Sequence, residues 1–120
     1  MVYQSFEELE IWKLSFRLAL EVCREFESSR HFALKDQIQR SCISIPSNIA
    51  EGSESDSRLD FIRFLRIAKG SAAELRTQLH IARGLDLVAE DSFLRFTTET
   101  KEIAAMTQGL IRSLAARGVT

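Results

Sequence analysis

The segment LKDQIQRSCISIPSNIAEG, residues 34–52, combines a helical hydrophobic pattern with a proline in its middle. Apolar side chains recur at three- and four-residue steps, which place them on one helix face, and a polar set runs beside them. The apolar set is Leu34, Ile38, Cys42, Ile45 and Ile49, and the polar set is Gln37, Ser41, Ser44, Asn48 and Glu51. Pro46 removes a backbone hydrogen bond and crowds the preceding turn. A helix that keeps such a proline has a shape to maintain or a site to build.

The same periodicity runs through the rest of the 120 residues and predicts four helices. Their expected bounds are Ser5 to the loop at 28–31, then 32–51, then Ser57 to the turn at 84–89, and finally 91–116. Short connections between long helices favour antiparallel neighbours. The sequence therefore predicts an all-α protein, an antiparallel up-down-up-down four-helix bundle, with one domain over residues 1–120.

Local signals support the ends of these helices. Ser5 and Glu8 have the spacing of a capping box at the start of helix one. Gly52 suits the C-terminal cap of helix two, and Gly118 follows helix four. Gly70 lies inside helix three among alanines and serine, and a glycine there predicts close approach of a neighbouring backbone.

Helices one and three carry more apolar residues than are needed for a single seam, the stripe of apolar residues by which a helix packs into the bundle core. The expected seam of helix one is Leu9, Trp12, Phe16, Ala19, Cys23 and Phe26, with a second stripe of Ile11, Leu14, Leu18 and Val22. The expected seam of helix three is Phe61, Leu65, Ala68, Ala72, Leu75, Leu79 and Ala82, with Ile62, Phe64, Ile67, Ile81 and Leu85 beside it. Large exposed apolar patches are rare on monomers, so this surplus predicts a homo-oligomer.

Composition excludes several classes of function. The net charge of −1 gives no general attraction to nucleic acid or membrane, and no apolar run is long enough to span a bilayer. The N-terminus is polar and acidic, unlike a targeting peptide, so we expect a cytoplasmic protein without a membrane partner. Cys23 and Cys42 both fall on apolar stripes, which favours buried free thiols.

No pattern of catalytic or metal-binding residues emerges. Di-iron bundles need Glu-x-x-His pairs, but the residues three positions before His31 and His80 are Ser28 and Thr77. We therefore expect no metal, haem or other cofactor. Hydrolase and phosphate-loop motifs are lacking, and we expect no enzymatic activity. Glu51 and Glu74 could be imagined as paired acids, but capping, salt bridging or exposure to solvent is the favoured interpretation, because no third group indicates a reaction class.

Helix three carries a basic stripe. Lys69, Arg76 and Arg83 recur every seven residues and share a face, and Arg66 lies within one turn of that line. Such a stripe can neutralise phosphates, and a ring of these helices would do so more strongly. The other interpretation is a solvated face that pairs with the acidic helix one of a neighbouring molecule.

Two motifs carry a family resemblance. They are Ser-Ile-Pro-Ser-Asn-Ile-Ala-Glu-Gly from Ser44 and Ala-Lys-Gly-Ser-Ala-Ala-Glu-Leu from Ala68, preceded by Gln-Ile-Gln-Arg from Gln37 and an early Phe6, Leu9 and Trp12. From Phe6 to about Leu114 the chain resembles the 23S rRNA intervening-sequence protein family. The motif positions carried over are Ser44, Pro46, Asn48, Glu51, Gly52, Gly70, Ser71 and Glu74.

The resemblance implies a four-helix bundle that assembles as a homopentamer and has no established enzymatic activity. It also implies distant similarity to the accessory protein of diversity-generating retroelements, a basic pentamer that binds nucleic acid and a reverse transcriptase. This chain differs in being slightly acidic, with a pI of about 6.1.

Three functional hypotheses follow from the sequence. The first is a non-enzymatic homo-oligomeric scaffold that binds RNA or a nucleic-acid-bound protein through Arg66, Lys69, Arg76 and Arg83. The second is an oligomer that binds proteins and has no affinity for nucleic acid. The third is an enzyme with Asn48, Glu51 and Glu74 in a pocket between subunits. The 34–52 segment itself is interpreted as a kinked structural element, in which Ser41 and Ser44 bond backbone groups freed around Pro46.

Overall fold

The computed structural model describes residues 5–117, which form four α-helices and one short 3₁₀ turn. The turn is Phe6–Glu8, and the helices are α1 (Glu10–Glu25), α2 (Phe32–Glu54), α3 (Arg58–Gly84) and α4 (Glu90–Arg117). They pack into an elongated bundle of 50 × 21 × 20 Å. Each helix contacts the next along the chain, and α1 also contacts α4. No strand occurs in the described residues, so the predicted all-α bundle is confirmed over 5–117.

Contacting residues run in opposite order along neighbouring helices. From α2 to α3, Ser41 contacts Gln78 and Ser44 contacts Ser71, so the partner number falls as the α2 number rises. The core between the helices is almost entirely aliphatic, with Phe26 and Phe96 as its largest fully buried side chains. The predicted seam of α3 is confirmed, because its residues from Leu65 to Ala82 are buried.

Helix one differs from the prediction in its start and in its buried face. Ser5 caps the 3₁₀ turn by accepting from the Glu7 amide, and α1 begins only at Glu10, so the Ser5–Glu8 capping box is wrong. The stripe containing Leu18 and Val22, expected to be accessory, forms the core. The expected seam is divided, because Ala19 and Phe26 are buried in the core whereas Phe16 lies at the edge and is 44% exposed. Both stripes have helical spacing, so periodicity alone could not rank them.

Helix two passes through Pro46 and ends later than expected. It continues to Glu54 and is capped by Ser55, so Gly52 lies in its last turn and not at the C-terminal cap. Gly52 is needed for space, because a Cβ atom there would stand 2.9 Å from Phe61 Cδ1 and 2.9 Å from Phe64 Cβ. The expected kink at Pro46 stays a prediction.

The turn after α3 uses aspartate where glycine is usual. Asp86 adopts a positive φ of 59°. Its amide donates to the Arg83 carbonyl, and the Leu87 amide donates to the Ala82 carbonyl at 2.9 Å. This is the Schellman pattern that satisfies the last carbonyls of a helix. Gly118, expected to follow α4, lies outside the described residues.

Candidate nucleic-acid interface

The four helix pairs give the bundle four surfaces of different chemistry. We call the α1–α2 surface the apolar groove, the α2–α3 surface the motif face, the α3–α4 surface the basic face and the α4–α1 surface the acidic face. The sequence-predicted residues divide between two of them. Arg66, Lys69, Arg76 and Arg83 lie at or beside the basic face, and the residues of the two sequence motifs lie mainly on the motif face.

The basic face is built first from α3. With about 3.6 residues per turn, Arg66, Lys69 and Arg76 lie along the α4 side of this helix. A contact of Lys69 identifies the side of α3 that faces α4, because its Nζ donates to Gln108 Oε1 of α4 at 2.7 Å. Arg66 and Lys69 are exposed and Arg76 is half-buried. Neither Arg66 nor Arg76 is held in an ion pair within residues 5–117.

Helix α4 adds two cations that sequence analysis did not single out. The Lys69–Gln108 bond and the His80–Phe93 ring contact set the register between the helices. In that register Lys101 is level with Arg76, and Arg112 is level with Arg66. Both α4 cations are exposed. The side chains between the two rows of cations are Ala73, Ala104 and Gln108.

Arg83 has a different role from its three companions. Its Nη1 donates to the Val88 carbonyl at 3.3 Å and lies 3.8 Å from Asp86 Oδ1. The guanidinium thus ties the end of α3 to the turn that follows. The seven-residue spacing predicted Arg83 on the basic stripe. Spacing within one helix could not predict the contacts of Arg83 with Val88 and Asp86 in the following turn.

The motif face joins α2 to α3 through hydroxyl groups. Ser44 Oγ and Ser71 Oγ lie 2.9 Å apart. Asn48 Nδ2 donates to the Ser44 carbonyl at 2.8 Å and to Ser44 Oγ at 2.9 Å. Two motifs that are distant in sequence therefore meet in one hydrogen-bonded cluster. The Asn48 side-chain NH₂ group thus makes both of these bonds within α2.

A second polar contact lies deeper on this face. Ser41 Oγ donates to Gln78 Oε1 at 2.7 Å, and both residues are buried. Ser41 also lies 3.1 Å from the Ile38 carbonyl. Pro46 leaves the Cys42 carbonyl without its usual N–H partner, but Ser41 and Ser44 are directed elsewhere. The expected repair around the proline is therefore wrong, and these serines connect two helices.

Glu51 and Glu74 do not form a pair. Both are exposed. The Ser44–Ser71 contact makes Glu74 level with Ser41, and Glu51 is ten residues further along α2, or about 15 Å at 1.5 Å per residue. Asn48, Glu51 and Glu74 thus do not converge on a common site within the chain.

Gly70 has open space around it. A Cβ atom at this position would meet nothing within 4 Å. The expected close approach of a neighbouring backbone is therefore wrong within residues 5–117. Gly70 lies at the outer corner of α3, between the motif face and the basic face.

The Ser44–Ser71 contact has a measurable coupling. We expect Ser44→Ala and Ser71→Ala each to lower the free energy of unfolding, and their double-mutant cycle to give about 0.5–1.5 kcal/mol of coupling. Urea unfolding measures both quantities. Ser47→Ala is the matched control, because Ser47 is exposed and its hydroxyl donates only to Ile43 of the same helix. Additive single effects would contradict the contact.

The apolar groove lies between α1 and α2 and has a volume of about 410 Å³. Its walls include two large side chains that are strongly exposed, Phe16 at 44% and Ile43 at 51%. Trp12 stacks on Phe16 with ring centroids 5.0 Å apart. Pro46 and Cys23 also line the groove. The proline that marks the sequence therefore contributes an apolar surface here.

The acidic face concentrates carboxylates between α1 and α4. Arg95 forms an ion pair with Glu21 and lies 4.0 Å from Glu99. Partial burial, followed by the nearby Glu21 charge, raises the pKa of the Glu99 carboxyl. The described residues contain no cluster of three or more His, Cys, Asp or Glu side chains that could hold a metal ion. None of the helices within 5–117 is apolar over a length that could cross a membrane.

Comparison with known protein families identifies the chain. Residues 7–109 match the family model described as 23S rRNA-intervening sequence protein. The chain belongs to this family. The resemblance drawn from the two motifs is therefore confirmed, and the match covers α1, α2 and α3 and extends into α4. The family's description names no reaction.

A solved structure shows the same fold. It is a protein of unknown function from the S23 ribosomal protein family of Bacteroides thetaiotaomicron, with a TM-score of 0.80 and 25% sequence identity. The alignment covers 84% of this chain and 97% of that protein. No curated protein matches the chain.

Proposed function

We propose that this 23S rRNA-intervening sequence protein is a non-enzymatic, homo-oligomeric scaffold that binds RNA in the cytoplasm. The observation that carries the proposal is the basic face, where cations from α3 and α4 line one surface. If the partner is a protein that is already bound to nucleic acid, the basic face would contact the phosphates of that nucleic acid. Because backbone phosphates dominate such binding, we expect affinity with little sequence preference.

The distribution of charge over the surface supports the basic face as a binding surface, although the net charge of the chain does not. Acidic partners engage Arg40, Arg63, Arg83 and Arg95, whereas Arg66, Arg76, Lys101 and Arg112 project beside one another without ion pairs in residues 5–117. A net charge of −1 is therefore compatible with a locally positive surface.

We infer that the helices run antiparallel, up-down-up-down, and that copies of the chain associate head to tail. The opposite order of contacts along α2 and α3 supports the topology. Two separate apolar surfaces support the association. One is the apolar groove, and the other is a ridge on the motif face formed by Ile67, Ile81 and Leu85, which are 42%, 47% and 51% exposed. A head-to-tail contact needs two different surfaces on each copy.

The positions of groove and ridge favour a small closed ring. They flank α2 on adjacent faces, which in a four-helix bundle point about 90° apart. In a ring the two contact surfaces of each subunit point about 90° apart for four copies and about 108° for five. The angle between the faces matches four copies and is close to the value for five, and the family resemblance favours the pentamer, which would repeat the basic face five times around one assembly.

Salt-dependent binding of a single-stranded RNA oligonucleotide tests the function. We expect the triple variant Arg66→Gln, Arg76→Gln, Lys101→Gln to lose at least about tenfold in affinity at low salt. The slope of log affinity against log salt should fall by about 2, or roughly 0.7 for each lost phosphate contact. Fluorescence anisotropy across a salt series gives both values.

The matched control removes the same charge from other surfaces. Arg40→Gln, Arg63→Gln, Arg95→Gln deletes three cations that are already paired with acids. It should leave the salt slope nearly unchanged. Equal losses in both triple variants would reject the basic face as the binding surface. No binding by the assembled wild-type protein at low salt would reject RNA binding and leave a protein-binding oligomer.

A further inference from the structure

The two cysteines of the chain meet at the inner wall of the apolar groove. Cys23 of α1 and Cys42 of α2 have their Sγ atoms 3.7 Å apart. They are the only cysteines in the sequence. A disulfide requires about 2.05 Å between sulfurs, so the two atoms need to approach by about 1.7 Å. Neither the proposed RNA binding nor the proposed association of subunits requires the two thiols to be close together.

The two thiols differ in access to solvent. Cys23 is half-buried and lines the groove, whereas Cys42 is fully buried behind it. Burial, with the neighbouring Cys23 as a second cause, raises the pKa of the Cys42 thiol well above its ordinary value. The Cys42 thiol also donates a hydrogen bond to the Gln39 carbonyl, with Sγ 3.4 Å from the oxygen. Cys42 is therefore shielded from direct oxidation, whereas Cys23 is accessible through the groove.

We propose that Cys23 and Cys42 form an oxidation site in a chain whose groove is not covered by a neighbouring copy, in which a hydroperoxide enters through the groove and the pair closes to an intramolecular disulfide. The Cys23 sulfur attacks the outer peroxide oxygen, an S–O bond forms and the O–O bond breaks. The Cys23 thiol proton passes to the leaving hydroxide or alkoxide, so the products are a Cys23 sulfenic acid and water or an alcohol. Cys42 sulfur then attacks the Cys23 sulfur. The S–S bond forms, the S–O bond breaks, and hydroxide leaves with the Cys42 proton as a second water. Two thiols are oxidised by two electrons and one peroxide is reduced.

The site changes how α1 and α2 are joined. In the reduced protein their contact near the groove is non-covalent, and in the oxidised protein a covalent link closes a loop between residues 19 positions apart. Such a link restricts the unfolded chain, so the oxidised protein should unfold at higher urea concentration. Reduction with a dithiol should reverse the change.

Treatment of the dilute, folded protein with hydrogen peroxide tests the proposal. We expect intact-mass spectrometry to show the loss of two hydrogens per chain, and thiol titration in denaturant to fall from two groups to none. Cys42→Ser should stop at the Cys23 sulfenic acid, which dimedone traps. Cys23→Ser should leave Cys42 unreacted. Gain of two or three oxygens by the wild-type chain, or oxidation of Cys23→Ser as fast as Cys42→Ser, would overturn the proposal.

A wild-type measurement keeps the test independent of whether the variants fold. The same peroxide reaction is repeated in concentrated urea, where the helices no longer hold the sulfurs together. We expect the disulfide to close from the Cys23 sulfenic acid at least tenfold more slowly there. Equal closure rates in the folded and unfolded chains would show that the helix geometry contributes nothing.

Discussion

Gly52→Ala is expected to destabilise the bundle by about 1–3 kcal/mol, although alanine is the better helix former. The added Cβ would stand 2.9 Å from Phe61 Cδ1, 2.9 Å from Phe64 Cβ and 3.3 Å from the Phe61 carbonyl oxygen. The Phe61 ring can turn, but Phe64 Cβ moves only with the α3 backbone. Urea unfolding measures the loss, and a larger side chain such as valine should cost more.

Gly70→Ala is the matched control, and it should change stability in the opposite direction. Gly70 is exposed in a helix interior with open space around it. Alanine there should raise the free energy of unfolding by about 0.5–1 kcal/mol, because it restricts the unfolded chain. Both variants are best measured at low concentration, where association adds least to stability. A stabilising Gly52→Ala would contradict the close packing of α2 on α3.

Placing charge in the apolar groove is expected to dissociate the proposed assembly completely. Phe16→Glu with Ile43→Glu should give a single species at the chain mass of 13.6 kDa by light scattering. The physical reason is that two buried carboxylates without partners cost more than the contact gains. Leu94→Glu is the control, because Leu94 is 53% exposed on α4, away from groove and ridge. A wild-type protein that is itself monomeric at micromolar concentration would contradict self-association.

Mixing two dissociated variants distinguishes a head-to-tail contact from a symmetric one. Ile67→Glu with Ile81→Glu breaks the ridge and leaves the groove intact, whereas the groove variant keeps its ridge. Each alone should be monomeric, but an equal mixture should form a heterodimer of twice the chain mass that grows no further. A mixture that stays monomeric would contradict the pairing of groove with ridge.

Helical periodicity predicted the helices well because it is a local property. The buried positions of α3 and the final helix followed from it directly. Periodicity could not decide which stripe of α1 faces inward, because that depends on where α2 and α4 lie. Nor could it assign Gly52, since a glycine near a helix end fits a cap and a close contact equally. Only the position of Phe61 and Phe64 separates those two roles.

The candidate site was predictable in part for the same reason. Lys69 and Arg76 share a face by their spacing alone, and the structure places them on one surface. Lys101 joins them only through the pairing of α3 with α4, which spacing within one helix cannot show. Arg83 fits the spacing but is engaged by the turn at Asp86 and Val88. The two sequence motifs were recognised by family resemblance, but their joining through Ser44 and Ser71 required the structure.

The buried Ser41–Gln78 bond has a consequence for how the chain finds its fold. The α3 seam is apolar throughout its seven-residue repeat, although alanine and leucine alternate along it, so α3 could slide along α2 by two turns and still bury apolar surface. Such a slip would set Ser41 opposite Leu85 or Gln78 opposite Leu34, at a cost of about 1–3 kcal/mol for the unsatisfied group. One polar pair thus discriminates the native alignment from its near-copies, as a single buried asparagine does in coiled coils.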